Sequence, residues 1–504
     1  MAEEKKNQAQ GNNGEAQAKK GEAKEKKGEA FVTQITPRSE DFSQWYTDVI
    51  LKADLIDYAP VRGCMVLKPY GYRIWELMQG EMDRRFKETG HQNVAMPLLI
   101  PESLLLKEAE HVEGFAPEVA WVTMGGGEVL PERLAVRPTS ETLFCAMYAR
   151  WVQSWRDLPM LYNQWCSVMR WEKSTRPFLR TSEFYWQEGH TVHATAEEAQ
   201  EETLKMLGVY EEFSKNVLAM PVVAGRKTDK EKFAGAQATY GIEAMMQDGK
   251  ALQAGTSHNF GTNFAIAFDI QFLDKDGTRK YVHETSWGSS TRMIGGLIMT
   301  HGDDRGLALP PTIAPYQAVV LPIAAHKEGV AEGAAAIAAQ LAEAGVRVFL
   351  DDRDTQSAGW KFNEWEMRGV PVRIEVGPRD LQNGVVTYCR RDTLEKGTLP
   401  IEGLTEALKA LLQDIHHCMY EKALAFRNAR VKQAADATAL AEGVQDGFVR
   451  ALWCGERACE EKVKEMASAT ARVMPFDQSE VTDGSTCAIC GKKAKHLVVW
   501  AKSY

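Results

Sequence analysis

The sequence predicts an α+β protein of about three domains. Three observations carry that expectation. Strands rich in Trp and Phe alternate with loops up to about Asp269, a β-α-β-α-β run follows Pro310-Pro311, and a cysteine-bearing segment closes the chain. With 504 residues, 44% of them hydrophobic and 26% charged, the composition excludes collagen-like, coiled-coil and wholly disordered chains.

No apolar run approaches the roughly 18 residues of a membrane span, so no membrane partner is expected. The opening MAEEKKNQAQ has no apolar core segment and does not read as a secretory signal. Nine cysteines, an odd number, argue against a disulfide framework and for a reducing, cytoplasmic compartment. The net charge of −9 gives no overall attraction to nucleic acid, so any such contact must use local basic patches.

Taken in order, residues 1–30 hold seven Lys and six Glu with only Met1 and alanines as apolar side chains, which predicts a disordered charged tail. Order is expected from about Phe31. Trp75, Met78, Met82 and Phe86 recur at helical spacing within residues 71–89, and Gly90 ends that helix. The apolar run 94–100 reads as a strand. Pro97 inside it argues for an edge or an interface. After Pro310-Pro311 come a strand (318–323), an Ala-rich helix (328–344) and a second strand (346–350). A polar helix (360–368) and a third strand (372–376) complete a parallel or mixed sheet. A helical, charged stretch is expected from about His416 into the C-terminus.

Four stretches carry chemistry. In RWEKSTRPFLRTSEFYWQEGHT, residues 170–191, Arg170 and Glu172 share a strand face, as do Trp186, Glu188 and His190, with Lys173, Arg176 and Arg180 between them. This hairpin with converging cations suits a polyphosphate, although a surface hairpin with ion pairs fits the charges too. In RPTSET, residues 137–142, Thr139 and Glu141 can hold a cationic amine, and the same string also reads as a helix N-cap. In LQAGTSHNFGTNF, residues 252–264, Gln253, Thr256 and His258 sit among small residues that let backbone approach a ligand. In TSWGSSTRMIGGLIMTHGDD, residues 285–304, Arg292 stands at a strand-to-helix junction from which it can reach a terminal phosphate.

Together these strings resemble the prolyl-tRNA synthetase family, class II aminoacyl-tRNA synthetases, from about residue 32 to Tyr504. Residues 71–101 resemble the first class II motif, a dimer-interface helix and strand. Arg170-Trp171-Glu172 resembles the second and Ser290-Thr291-Arg292 the third. The resemblance implies an antiparallel sheet with flanking helices over 31–305, an α/β anticodon-binding domain over 313–415 and a small zinc-type domain over 416–504. It implies ATP-dependent attachment of L-proline to tRNA(Pro) through a prolyl adenylate, with Mg²⁺, in a homodimer. Arg170 would be the catalytic cation on the α-phosphate and the substrate carboxylate. Glu172, Arg180, Thr181, Gln253, Thr256, Ser290 and Arg292 would hold ATP. Thr139 and Glu141 would take the imino group, His258 would close the pocket, and Phe184 and Trp186 would wall the pyrrolidine ring. Only about 95 residues separate His190 from Thr285, too few for an inserted editing domain, so the chain resembles the archaeal/eukaryotic-like form.

Residues 313–415 contain 11 Lys+Arg against 15 Asp+Glu, a net of −4, so anticodon contacts must come from a few placed cations. Arg353, Lys361, Arg368 and Arg379 are the candidates. Cys454, Cys459, Cys487 and Cys490 form C-x4-C and C-x2-C pairs, the pattern of a closed structural Zn²⁺ site.

Overall fold

The first long helix, Pro69–Glu88, starts on a proline whose missing N–H costs nothing at that position, and it buries Ile74, Trp75, Met78, Met82 and Phe86 along one stripe. Gly90 beyond it takes φ +89°, a left-handed conformation that a side chain disfavours. The structure, a computed structural model, describes residues 35–111 and 118–504, and the charged tail expected over 1–30 lies outside them. The strand expected over 94–100 is much shorter. Only Leu99–Pro101 pairs, in a three-stranded sheet with Glu128–Val136 and Trp121–Gly125. Upstream of it, Gln92–Asn93 pairs parallel to Tyr162–Asn163 at the edge of the main sheet.

That main sheet has eleven strands. Its central part runs Val222–Arg226, Ala238–Met245, Ala251–Gly261, His283–Ser290, Glu183–His193 and Met160–Met169, antiparallel throughout. The 170–191 hairpin exists, but its first strand ends at Met169, so Arg170 and Glu172 open the loop rather than share a strand face. Arg170 is still tied to the hairpin, since its N–H donates to the Ser182 carbonyl at 2.8 Å. A helix the sequence reading does not mark, Ala196–Asn216, covers the sheet. Its N-terminus is closed by a capping box between Thr195 and Glu198, and it buries Met206, Leu207, Tyr210 and Phe213.

The β-α-β-α-β segment forms a separate five-stranded mixed sheet. Val348–Leu350, Ala318–Pro322 and Val372–Val376 lie parallel, followed by antiparallel Val385–Arg390 and Lys396–Pro400. The boundary expected at 415/416 falls inside a 25-residue helix, Leu404–Asn428, whose Leu408, Leu412, Ile415 and Met419 pack continuously on this sheet. The C-terminal strands do not fold apart from the catalytic region. Thr470–Pro475 pairs with Val222–Arg226 (Met474 opposite Arg226), so the two parts share one sheet.

Candidate active site

Three sheet strands, the hairpin loop and two helix starts bring most of the expected residues to one cavity. Thr139, Glu141, Arg170, Phe184, Trp186 and His258 line it. So do Gln253, Thr256, Ser290 and Arg292. The strand Glu183–His193 supplies Phe184, Trp186, Glu188 and His190 by its period-2 alternation, and Ala251–Gly261 supplies Gln253 and His258. Arg292 opens the helix Arg292–His301 directly after the strand His283–Ser290.

Three expected ATP contacts are not brought in. Thr181 faces a smaller neighbouring cavity, and its hydroxyl donates to the Glu183 carbonyl at 2.6 Å. Glu172 and Arg180 stand outside the lining, 4.0 Å apart, with the Arg180 side chain 53% exposed. They sit on the hairpin loop at the rim.

The cations of the cavity are unpaired. Arg170 donates from Nε to the Pro138 carbonyl at 3.1 Å, and its guanidinium lies 5.4 Å from the Phe184 and Trp186 ring centres. Arg292 donates from Nε to the Leu179 carbonyl at 3.1 Å. Among the described residues neither forms an ion pair. Burial, and for Arg292 also the charge of Arg170, lowers the pKa of both, yet a guanidinium stays charged in proteins. Two half-buried cations without an ion pair, sharing one cavity, suit a bound anion, with Arg170 also in the field of Glu141 and Glu188.

The same cavity also carries an acidic, tightly braced group of residues. Thr139 donates its hydroxyl to Glu141. Ser140 holds the N-cap position of the helix Glu141–Trp151, but its side chain does not cap it. Its N–H and hydroxyl instead donate to Glu188, which also accepts from Gln164 Nε2 at 2.6 Å. Burial alone would raise the Glu188 pKa, but the His190 hydrogen bond at 3.2 Å and its charge outweigh it and hold the carboxyl low. His190 is raised in turn, against its own burial, by that carboxylate and Glu141. His258 is the contrast, since burial, then the charges of His190 and Lys227, push it down to about 3, so it is a neutral imidazole. It shares a 3.0 Å hydrogen bond with the Thr239 hydroxyl and packs on Phe233 at 4.8 Å.

Glu188 and His190 belong to the site although the sequence reading assigned them no role. Their alternation with Trp186 was the available signal. Phe233 and Glu231 also line the cavity but arrive from a distant loop, and Thr239 from the strand after it, with no local signature. Trp287 floors the cavity because Gly189 leaves room, where a Cβ would sit 2.1 Å from its ring.

Behind the cavity Glu284 is buried, with Oε2 unpartnered and Oε1 accepting from the Cys145 thiol at 3.4 Å. Burial lifts its pKa from 4.5 to about 8. The folded state therefore binds a proton that the unfolded state has lost between those values, and this group's contribution to stability falls as pH rises through them. In Glu284→Gln that component vanishes, so the stability of the variant relative to the parent should rise from the acidic to the alkaline end of the window. Denaturant midpoints at both ends read this directly.

The anticodon candidates divide. Lys361 is only 6% exposed, and its Nζ donates to the Asp351 carbonyl at 3.0 Å, so it is a structural cation rather than a surface contact. Arg353 is spent on Asp351 and Glu364. Arg368 pairs with Glu364 at 3.3 Å and lies 5.4 Å over Tyr70, at the junction with the catalytic region. Arg379 is exposed and has no ion pair among the described residues.

The sulfurs of Cys454, Cys459, Cys487 and Cys490 all lie within 4.8 Å of one another. A tetrahedron of sulfurs about 2.3 Å from Zn²⁺ has edges of roughly 3.8 Å. The Cys454–Cys459 and Cys454–Cys490 separations of 3.6 and 3.7 Å fit it. The backbone N–H of Lys492 helps hold the Cys490 thiol down, to about 7.

Comparison with known proteins gives the chain's family. Residues 128–301 match the family described as tRNA synthetase class II core domain (G, H, P, S and T), 317–411 the anticodon binding domain, and 439–504 the C-terminal domain of prolyl-tRNA synthetase. A proline--tRNA ligase of Alkaliphilus oremlandii is 61% identical over 476 residues, 94% of this chain and 98% of its own. The proline--tRNA ligase 2 of Clostridioides difficile is 60% identical over the same shares, and that of Bacillus cereus 58% identical over 94% of this chain and 99% of its own. These near end-to-end matches leave no room for an added domain in the relatives. With a class II core, an anticodon-binding domain and the family's C-terminal domain on one chain, this chain belongs to the prolyl-tRNA synthetase family.

Proposed function

We propose that this chain attaches L-proline to tRNA(Pro) in two steps, using the cavity that Arg170 and Arg292 share with Glu141. The observation that carries the reading is that cavity's mixed charge, with two part-buried guanidiniums that form no ion pair among the described residues lining it together with braced carboxylates. A substrate that is cationic at its imino nitrogen and joined to a polyphosphate at its carboxylate satisfies both groups. The proline carboxylate attacks the α-phosphorus of ATP, which enters as its Mg²⁺ complex, and pyrophosphate leaves. Arg170 and Arg292 neutralise charge that grows on the phosphates, while Glu141 and Thr139 fix the imino group. Neutral His258, Phe233, Trp186 and Phe184 present an unchanging apolar wall to the ring. A terminal ribose hydroxyl of the tRNA then attacks the prolyl carbonyl and AMP departs.

The free state of all nine cysteines supports a reducing, cytoplasmic setting. No helix among the described residues is long and apolar enough to cross a membrane. Leu98, just before the small three-stranded sheet, and Val129, on it, are 49% and 77% exposed and support a homodimer contact near that sheet. Arg379 remains as an anticodon contact. ATP–pyrophosphate exchange against a panel of amino acids tests the main reading. Proline should drive exchange, and exchange driven by another amino acid instead would overturn it.

The cysteine quartet would hold a closed structural Zn²⁺, which when bound supplies folding free energy and no open coordination position. Elemental analysis should find one zinc per chain. Cys487→Ser should lose the metal and loosen the C-terminal strands while proline and ATP still bind.

A further inference from the structure

One wall of the cavity is a loop, residues 227–237, joining the strands Val222–Arg226 and Ala238–Met245. It carries Glu231 and Phe233 into the cavity. Phe233 packs on His258, and its N–H donates to the Thr239 hydroxyl at 3.0 Å, the same hydroxyl that meets His258. What holds the start of this loop comes from the C-terminal part of the chain. Lys227 donates from Nζ to Glu243 at 2.5 Å and to the Arg472 carbonyl at 2.7 Å. Arg472 clasps the same Glu243 from Nη2 at 3.0 and 3.1 Å. One residue on, the Thr228 hydroxyl donates to Glu460 at 2.6 Å, with Thr228 1% and Glu460 4% exposed. Glu460 directly follows Cys459 of the cysteine quartet.

We infer that the C-terminal module sets the shape of the amino-acid pocket, with Glu460 and Arg472 acting as positioning residues for the Phe233 loop through Thr228 and Lys227. Several features of the geometry support this. Both anchors sit at the very start of the loop, where a small rotation is carried to Phe233 by the short chain between. The Glu231 N–H donates to the Thr228 carbonyl at 3.1 Å, so the first turn moves with Thr228 as a unit. Among the described residues neither anchor forms a hydrogen bond or ion pair with Arg170 or Arg292, whereas the loop they hold carries Phe233 against His258. A buried hydroxyl–carboxylate bond is also selective, since an unpaired carboxylate there would be left without solvent.

The inference rests on the proposed proline activation, and the test separates the two. Thr228→Val keeps the shape and removes the hydroxyl, whereas Thr228→Ser keeps the hydroxyl. In proline-dependent ATP–pyrophosphate exchange, Thr228→Val should raise the proline KM by about tenfold, the scale of a disturbed apolar contact. The ATP KM should hold, and Thr228→Ser should restore the proline KM. Glu460→Gln, which still accepts from the hydroxyl, should lie close to the parent. Absence of proline-driven exchange in the parent chain would overturn the activity itself. An active parent with an unchanged proline KM in folded Thr228→Val, or with proline and ATP KM rising together, would overturn the coupling alone. If Thr228→Val does not fold, the comparison passes to Glu460→Gln against Glu460→Ala, read by the same split between the two KM values.

Discussion

Arg170→Ala is expected to lose roughly 3 kcal/mol or more of transition-state stabilisation, about 10²-fold or worse in adenylate formation. The guanidinium is half-buried, forms no ion pair among the described residues, and faces the aromatic wall of Phe184 and Trp186. Its charge is therefore poorly screened by water where the α-phosphate must pass, with Glu141, Glu188 and Glu172 the carboxylates that act on it. Arg292 is held in the same cavity with its pKa lowered in part by Arg170, so removing Arg170 also relieves a repulsion in the empty site. Thermal stability should then hold steady or rise slightly while activity collapses. Pre-steady-state adenylate formation and a melting curve on the same preparation check both halves. Near-normal adenylate formation would sink the assigned role.

Glu243→Ala is expected to be the most destabilising single change, by about 3–5 kcal/mol, the usual cost of stripping the partner from a buried charge. Glu243 is fully buried and neutralises Lys227 and Arg472 at once. Lys227 can shed its proton, and burial already lowers its pKa, but Arg472 cannot. The stranded guanidinium lies between the catalytic strands and the C-terminal ones, so denaturant unfolding should begin at that seam. Replacing all three groups together with apolar residues of similar volume should recover much of the loss. A triple variant as unstable as the single one would show that packing, not charge, is at stake.

Local periodicity and spacing made much of this molecule legible. The β-α-β-α-β segment, the helix ending at Gly90 and the cysteine quartet are all written in short stretches, because helix, strand and metal-ligand spacing are local properties. The cavity arginines were legible because their strings carry a family resemblance. What could not be read depends on tertiary partners rather than on local spacing. Nothing near Lys361 announces Asp351 as its burial partner. Nothing in Val222–Arg226 announces Thr470–Pro475 as its neighbour, since pairing across that distance leaves no mark in either strand. The strand expected over 94–100 shrank to its last residues because Pro97 cannot donate to a ladder.

The pairing of Thr470–Pro475 on Val222–Arg226 has a consequence for how the chain is made. During synthesis the catalytic strands leave the ribosome long before residues 470–475 do. Until then the Val-Val-Ala-Gly-Arg edge presents an open row of N–H and C=O groups, a template for any other extended chain. The C-terminal strands are thus a late-arriving cover on an adhesive edge. A nascent or truncated chain that stops short of Thr470 should be prone to aggregate through it, even with every substrate-binding residue in place.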